Sequence, residues 1–257
     1  MATLTEPSKK EVADIWDVHS ISYDRAGGRI HSGPEKEAWR AYIAKEIPAG
    51  KLNVLDVGCG TGEISLLMAA MGHKVTGIDI SEKMMQKGIA KAQEMGLAID
   101  FRSGDAEHTG FDADSFDVVI CRFLLWTLPN PQGALNEWHR ILRPGGRVLI
   151  IDGKWRDYTV SFKLTMKLSQ ISIRIIDGRR PMKNYSEGLA RSLNMNGVPT
   201  DTARKCLKGA DFKNISIVDL EEVRRIKLKS VPWRYRAGIG RRYYLITGKK
   251  LPMAVVE

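Results

Sequence analysis

Residues 56–63 read Asp56-Val57-Gly58-Cys59-Gly60-Thr61-Gly62-Glu63, and this stretch decides how the chain folds. Just before it, Lys51 to Asp56 (KLNVLD) is a short β-branched and leucine run, the pattern of a buried strand that ends at a turn. Just after it, Ile64, Leu67, Met68 and Met71 recur at i, i+3, i+4 and i+7, and Gly72 follows. That is one apolar stripe of a helix with a stop signal. Glycines let the turn between strand and helix be sharp and let a ligand approach the backbone closely. The helix start adds free N–H groups aimed at that ligand. The spacing is G-x-G-x-G rather than G-x-G-x-x-G, and Glu63 stands where a dinucleotide fingerprint needs Gly or Ala. A carboxylate there would repel a pyrophosphate, so a ligand without phosphates suits this turn better.

Outward from the turn the same alternation continues. Lys74 to Asp79 (KVTGID) reads as a second strand, with Ser81 placed to cap the next helix and Glu82 in its first turn. Strands follow at residues 99–102, 116–121 and 147–152, with a helix over 134–142 stopped by Pro144-Gly145-Gly146. Residues 200–210 read as a helix, and 215–220 and 243–247 as two last strands. Val160 to Ile176 fits both an alternating strand and a helical stripe; its length favours helix. The first forty-odd residues read as helical pieces broken at Gly27-Gly28 and Gly33-Pro34. The expected fold is α/β: a doubly wound, mostly parallel seven-stranded sheet with a helical insertion after strand 5. One domain spans 1–257, with 1–45 as a helical cap and 155–199 as a lid. Ligands in such a sheet sit at the carboxyl ends of the strands.

Two acids belong to that rim. Asp79 closes the second strand, where a carboxylate can accept from two adjacent ribose hydroxyls. Asp105, in SGDAEH, follows the third strand and can accept from an adenine amino group. Together with the glycine turn they describe a nucleoside site without a phosphate clamp.

The motifs VLDVGCGTGE, GIDIS, GDAEHTGF, SFDVVICRFLLWTL and LRPGGRVLIID resemble, in order and spacing, class I S-adenosylmethionine-dependent methyltransferases, of the small-molecule and quinone-ring subgroup. The resemblance covers about residues 15–155 and implies the Rossmann-like methyltransferase fold. It implies S-adenosyl-L-methionine as cofactor and S-adenosyl-L-homocysteine as product. It places Asp56 and the Gly58-Cys59-Gly60 backbone at the methionine part, Asp79 on the ribose, Ile80 against the adenine, and Asp105 with the Ala106 backbone at the adenine edge. Cys121-Arg122-Phe123 would lie under the amino-acid end. Tyr23-Asp24 resembles the YD of members whose first helix closes over the cofactor, and His19, four residues earlier, would share a helix face with Tyr23. Methyl transfer needs alignment and dryness more than acid–base help; Tyr23 is expected to take part in it, and His19 is the first choice for a base if the acceptor must lose a proton. Tyr23, Phe123 and Trp126 are candidate faces for a sulfonium.

The acceptor expected is a small molecule. The tetrad position that follows the fourth strand in RNA base methyltransferases of related fold reads Cys121-Arg122-Phe123-Leu124 here, not an Asn-Pro-Pro-Tyr type. Net charge is +10, but residues 1–150 hold 17 Lys and Arg against 20 Asp and Glu, whereas 151–257 hold 23 against 10. The basic part admits peripheral contact with an acidic lipid surface, which a quinone or lipid acceptor would call for. A nucleic-acid partner is the weaker reading; it rests on Trp233-Arg234-Tyr235-Arg236 and Arg241-Arg242-Tyr243-Tyr244, for which a solvated hairpin between the last strands is preferred. Three cysteines without a CxxC, and a start without the apolar stretch of a signal peptide, fit a cytoplasmic protein. No metal is expected, since no His/Cys set has ligand spacing.

Overall fold

Seven strands form one sheet in the computed structural model: β1 (Asn53–Val57), β2 (Lys74–Asp79), β3 (Ile99–Ser103), β4 (Phe116–Arg122), β5 (Leu142–Lys154), β6 (Lys213–Asp219) and β7 (Arg242–Lys249). Their order is β3-β2-β1-β4-β5-β7-β6. All neighbours are parallel except β7, which is antiparallel to β5 and β6. The structure describes residues 6–30, 33–154, 160–177, 185–194, 196–239 and 242–252. Parts of the expected cap (1–5, 31–32) and lid (155–159, 178–184, 195), and Arg241, lie outside the described residues.

The helices are α1 (Glu6–Ser20), α2 (Gly33–Glu46), α3 (Glu63–Ala70), α4 (Glu82–Glu94), α5 (Pro131–Ile141), α6 (Val160–Asp177), α7 (Glu187–Ser192), α8 (Thr200–Gly209) and α9 (Glu221–Ser230). Side chains alternate across the central strands. Val119, Cys121, Val148 and Ile150 face a core with α5 and α8; Val118, Ile120, Leu149 and Ile151 face one with α2, α3 and α9. Ser81 caps α4 as expected, its hydroxyl accepting from the Met84 N–H at 3.2 Å. Val160–Asp177 is helical, which settles the ambiguous segment.

Several expectations change. α3 is not a one-stripe helix: Glu63, Ser65 and Leu66 are buried along with Ile64, Leu67 and Met68. The segment after α1 wraps its outer side, which no local pattern announces. Gly27-Gly28 does end a helical piece as expected, but that piece is a π-helical turn, Asp24–Gly28, after which Arg29 is extended. α5 stops at Ile141, and Leu142 already pairs with Phe116, so the sheet begins before Pro144-Gly145-Gly146 rather than after it. The link between β6 and β7 is no hairpin: α9 and a 3-10 turn, Trp233–Gly238, fill it. Tyr235, Tyr243 and Tyr244 are buried there, so they have no free faces on which bases could stack.

One buried ion pair ties the basic end of the chain to α2. Lys227 of α9 meets Glu35 at 2.8 Å, and both side chains are almost wholly out of solvent. The same ammonium donates to the Arg29 carbonyl at 2.6 Å. Burial pulls the Lys227 pKa down to about 8 despite the attraction of Glu35. A pair of this kind contributes little against an apolar replacement, yet breaking it strands a charge. Glu35→Gln is therefore expected to lower unfolding stability by about 3–5 kcal/mol, and Glu35→Met with Lys227→Met to recover most of the loss. Urea unfolding of both variants measures it; equal losses would show that packing, not charge, holds the two helices.

Candidate active site

The strand order reverses between β1 and β4, which opens a crevice at their carboxyl ends. The turn after β1 fills its floor. Gly58, Gly60 and Gly62 all have left-handed backbones, with φ of +64°, +56° and +79°. At Gly62 space is short as well: a Cβ would lie 3.1 Å from the Gly88 Cα of α4 and 3.2 Å from the Phe101 ring. Asp79 joins this turn to the one after β2. Its Oδ2 accepts from the Gly60 N–H and its Oδ1 from the Ser81 N–H, both at 2.8 Å. Burial raises its pKa to about 6 in spite of those donors.

β4 delivers Arg122 and Phe123. Phe123 has φ +62°, a costly conformation for a bulky residue, held by its N–H donating to the Ile151 carbonyl at 2.7 Å. The Arg122 guanidinium lies 5.0 Å from the Phe123 ring centre. Its Nη2 donates to the Gly28 carbonyl at 2.6 Å, while its buried Nη1 has no hydrogen-bond partner.

α1 covers the crevice. Lys9, Val12 and Trp16, one helical face, line the cavity with Tyr23, Ile80, Met84, Asp105, Glu107, Arg122 and Phe123. Polar contacts hold the cover down. Asp17 accepts from the Ser81 hydroxyl at 2.6 Å. Lys9 pairs with Asp105. Asp24 pairs with Lys91 at 2.9 Å and accepts from the Thr61 hydroxyl at 2.7 Å. Glu63 belongs to the same brace: it meets Lys91 at 2.6 Å and accepts from the Ile30 N–H at 2.8 Å. Its carboxylate is therefore committed to holding the N-terminal segment rather than facing a ligand.

The expected site residues divide into two groups. Tyr23, Gly58, Gly60, Asp79, Ile80, Asp105, Ala106 and Arg122 line one cavity. Asp56 and Cys59 lie beneath it, buried. Asp56 accepts from the Ser65 hydroxyl of α3, and burial lifts its pKa to about 7. Burial also keeps the Cys59 thiol protonated. His19 is not on the wall: its ring meets Trp16 edge-on at 5.1 Å, and Trp16 is what lines the cavity. Trp126 likewise packs behind, 6.2 Å from Trp16. Among the described residues none of 160–199 lines the cavity; Leu189 and Leu193 pack on Val12 of α1 instead. Lys9, Val12 and Trp16 escaped the sequence reading, although their i, i+3, i+7 spacing is a helical stripe. Burial raises the Tyr23 pKa, with Arg122 opposing, so the phenol stays protonated at neutral pH. Among the described residues, no group of three or more His, Cys, Asp or Glu is arranged to hold a metal ion.

Comparison with known proteins bears on this cavity. Residues 55–150 match the family model of a methyltransferase domain. A demethylmenaquinone methyltransferase of Listeria welshimeri is 37% identical over 155 residues, 58% of this chain but only 65% of that protein. One of Staphylococcus saprophyticus is 31% identical over 216 residues, 81% of this chain and 91% of the relative. The chain belongs to the class I S-adenosylmethionine-dependent methyltransferases. Its fold also matches a Haemonchus contortus phosphoethanolamine N-methyltransferase solved with S-adenosyl-L-methionine (TM-score 0.65, 18% identity, 92% of this chain and 57% of that one). S-adenosyl-L-methionine is the cofactor of this methyltransferase family, and S-adenosyl-L-homocysteine is what transfer leaves.

Tyr23 depends on one glycine. A Cβ at Gly28 would stand 2.2 Å from two carbons of the Tyr23 ring. Gly28→Ala should expel that ring from the wall and weaken cofactor binding about tenfold. Gly28→Ala combined with Tyr23→Ala should lose no more than Tyr23→Ala alone. Calorimetric titration measures both; additive losses would mean that the two residues act separately.

Proposed function

We propose that this methyltransferase carries a methyl group to a ring carbon of a lipophilic quinol, with the relatives named demethylmenaquinone methyltransferases as the nearest guide to the acceptor. The observation that carries the reading is the likeness to the Staphylococcus protein along 91% of its length. The cavity agrees with it. Its walls are mainly apolar with a few convergent polar groups, as for a small organic molecule.

The residues present fit the cofactor. The buried Arg122 Nη1 needs an acceptor, which an amino-acid carboxylate supplies. The Gly58 to Gly60 backbone offers close approach for the same end of the molecule. Asp79 keeps lone pairs for two ribose hydroxyls after accepting from Gly60 and Ser81. Ile80 and Met84 offer apolar faces to an adenine, and Asp105 with Ala106 its polar edge. Lys9 occupies Asp105 in this structure, so reading the adenine means exchanging one partner for another.

The bound cofactor supplies a methyl carbon on a positive sulfur, whose departure as a neutral thioether needs no acid. The chain supplies alignment, a dry wall and aromatic faces for the positive charge, foremost Phe123 and Tyr23. A quinone ring is electron-poor; the reduced ring is the nucleophile. Its carbon forms the new C–C bond as the C–S bond breaks, and the ring C–H proton then leaves to water or a carboxylate. Glu107, on the wall with its pKa raised by burial and so a stronger base than an ordinary carboxylate, is better placed to receive it than His19.

Two measurements test this reading. Asp79 must be ionised to accept from hydroxyls, and its pKa is raised to about 6. Affinity for S-adenosyl-L-methionine should thus be full above that value and fall as the pH drops through it. Asp79→Asn should bind about tenfold or more weakly and lose this pH dependence; a variant that keeps the slope would place the titrating group elsewhere. For the acceptor, labelled cofactor and a reduced demethylmenaquinone analogue should give a ring-methylated product. Binding of the cofactor with no transfer to that ring would retire the quinol and leave the cofactor site standing.

A further inference from the structure

α6 is amphipathic, and its apolar side faces outward. At 3.6 residues per turn, Val160, Leu164, Leu168, Ile171 and Ile175 fall within about 80° of one another. Each of the five keeps more than half of its surface exposed. The opposite side is the one that packs: Ser169 is buried and donates to the Arg234 carbonyl, and Ser172 bonds back to Ser169 at 2.8 Å. A helix on a globular core ordinarily buries its apolar stripe. Exposed Lys167 and Arg174 stand along one edge of this one, and Trp233, in the turn that α6 packs on, is 61% exposed.

We infer that α6 docks the protein on an anionic lipid bilayer, with the stripe among the acyl chains and the basic edge at the headgroups. Charge selects this occupant. A two-fold contact with the helices antiparallel would set Lys167 and Arg174 of both chains against each other, and any contact between copies would join two segments, 151–257, that each hold 23 Lys and Arg against 10 Asp and Glu. An RNA would leave the stripe uncovered. A bilayer with acidic headgroups answers both the apolar stripe and the basic edge. No described helix is long and apolar enough to cross a membrane, so α6 lies in the surface plane. The inference stands apart from the acceptor reading, because docking requires neither cofactor nor quinol.

The test is sedimentation of the full chain with vesicles, without cofactor or acceptor. The protein should bind vesicles of phosphatidylcholine with phosphatidylglycerol at least tenfold more tightly than phosphatidylcholine alone. Leu164→Glu with Leu168→Glu should lower that binding tenfold or more, and the milder Leu168→Ser should move it in the same direction. Lys167→Glu with Arg174→Glu should erase the preference for the acidic lipid. Circular dichroism and cofactor affinity should stay unchanged in each variant. No binding to acidic vesicles, or wild-type binding in both leucine variants, would overturn the inference. So would a wild-type dimer in light scattering that Leu164→Glu with Leu168→Glu dissociates, since a second copy would then cover the stripe.

Discussion

The Asp79 carboxylate is the joint on which the rest of the site hangs. One oxygen fixes the amide of Gly60 and the other that of Ser81, so the turns after β1 and β2 cannot move independently. Ser81 then caps α4 and donates its hydroxyl to Asp17 of α1. A single half-buried acid therefore connects the floor of the cavity to its cover, through the Gly60 and Ser81 amides and the Ser81 side chain. Burial resists its ionisation, and the two amides favour it. The group keeps its protein partners and still has lone pairs open to further donors.

Much of the fold was legible in the chain because the sheet is local in origin. β1 and β2 are apolar runs ended by a glycine and by an acid, and Ser81 marks its helix start by chemistry alone. The boundaries that shifted did so through long-range contacts. Leu142 joins the sheet because Phe116 is beside it, and α3 is buried all round because the N-terminal segment lies over it. The link from β6 to β7 reads as solvated because Arg and Tyr alternate there, yet Tyr235 and Tyr243 fill the core beside α9 and Tyr244 the core on the other face of the sheet. Alternation of charge and aromatic does not say which of the two faces water.

The site was legible wherever backbone chemistry leaves a mark. The glycine turn, Asp79 and Asp105 stand together on the rim that the strand pattern requires. Asp56 lies one step below it because its strand ends a residue later, at Val57, and its carboxyl turns to Ser65. The chemistry of His19 and its helical spacing from Tyr23 make it the natural base in the sequence; the structure sets the tyrosine, and not the histidine, on the cavity wall. The ion pairs of the cover left no sequence signal, since Lys9 with Asp105 and Lys227 with Glu35 join residues far apart in the chain.

That brace has a mechanical side. α1 is pinned at Lys9, at Asp17 and, through the turn beyond it, at Asp24, while Lys227 grips the Arg29 carbonyl just after that turn. Swinging α1 off the cavity means parting these contacts together, so the first helix and the pocket beneath it form one mechanical unit, and whatever loosens the helix loosens the pocket.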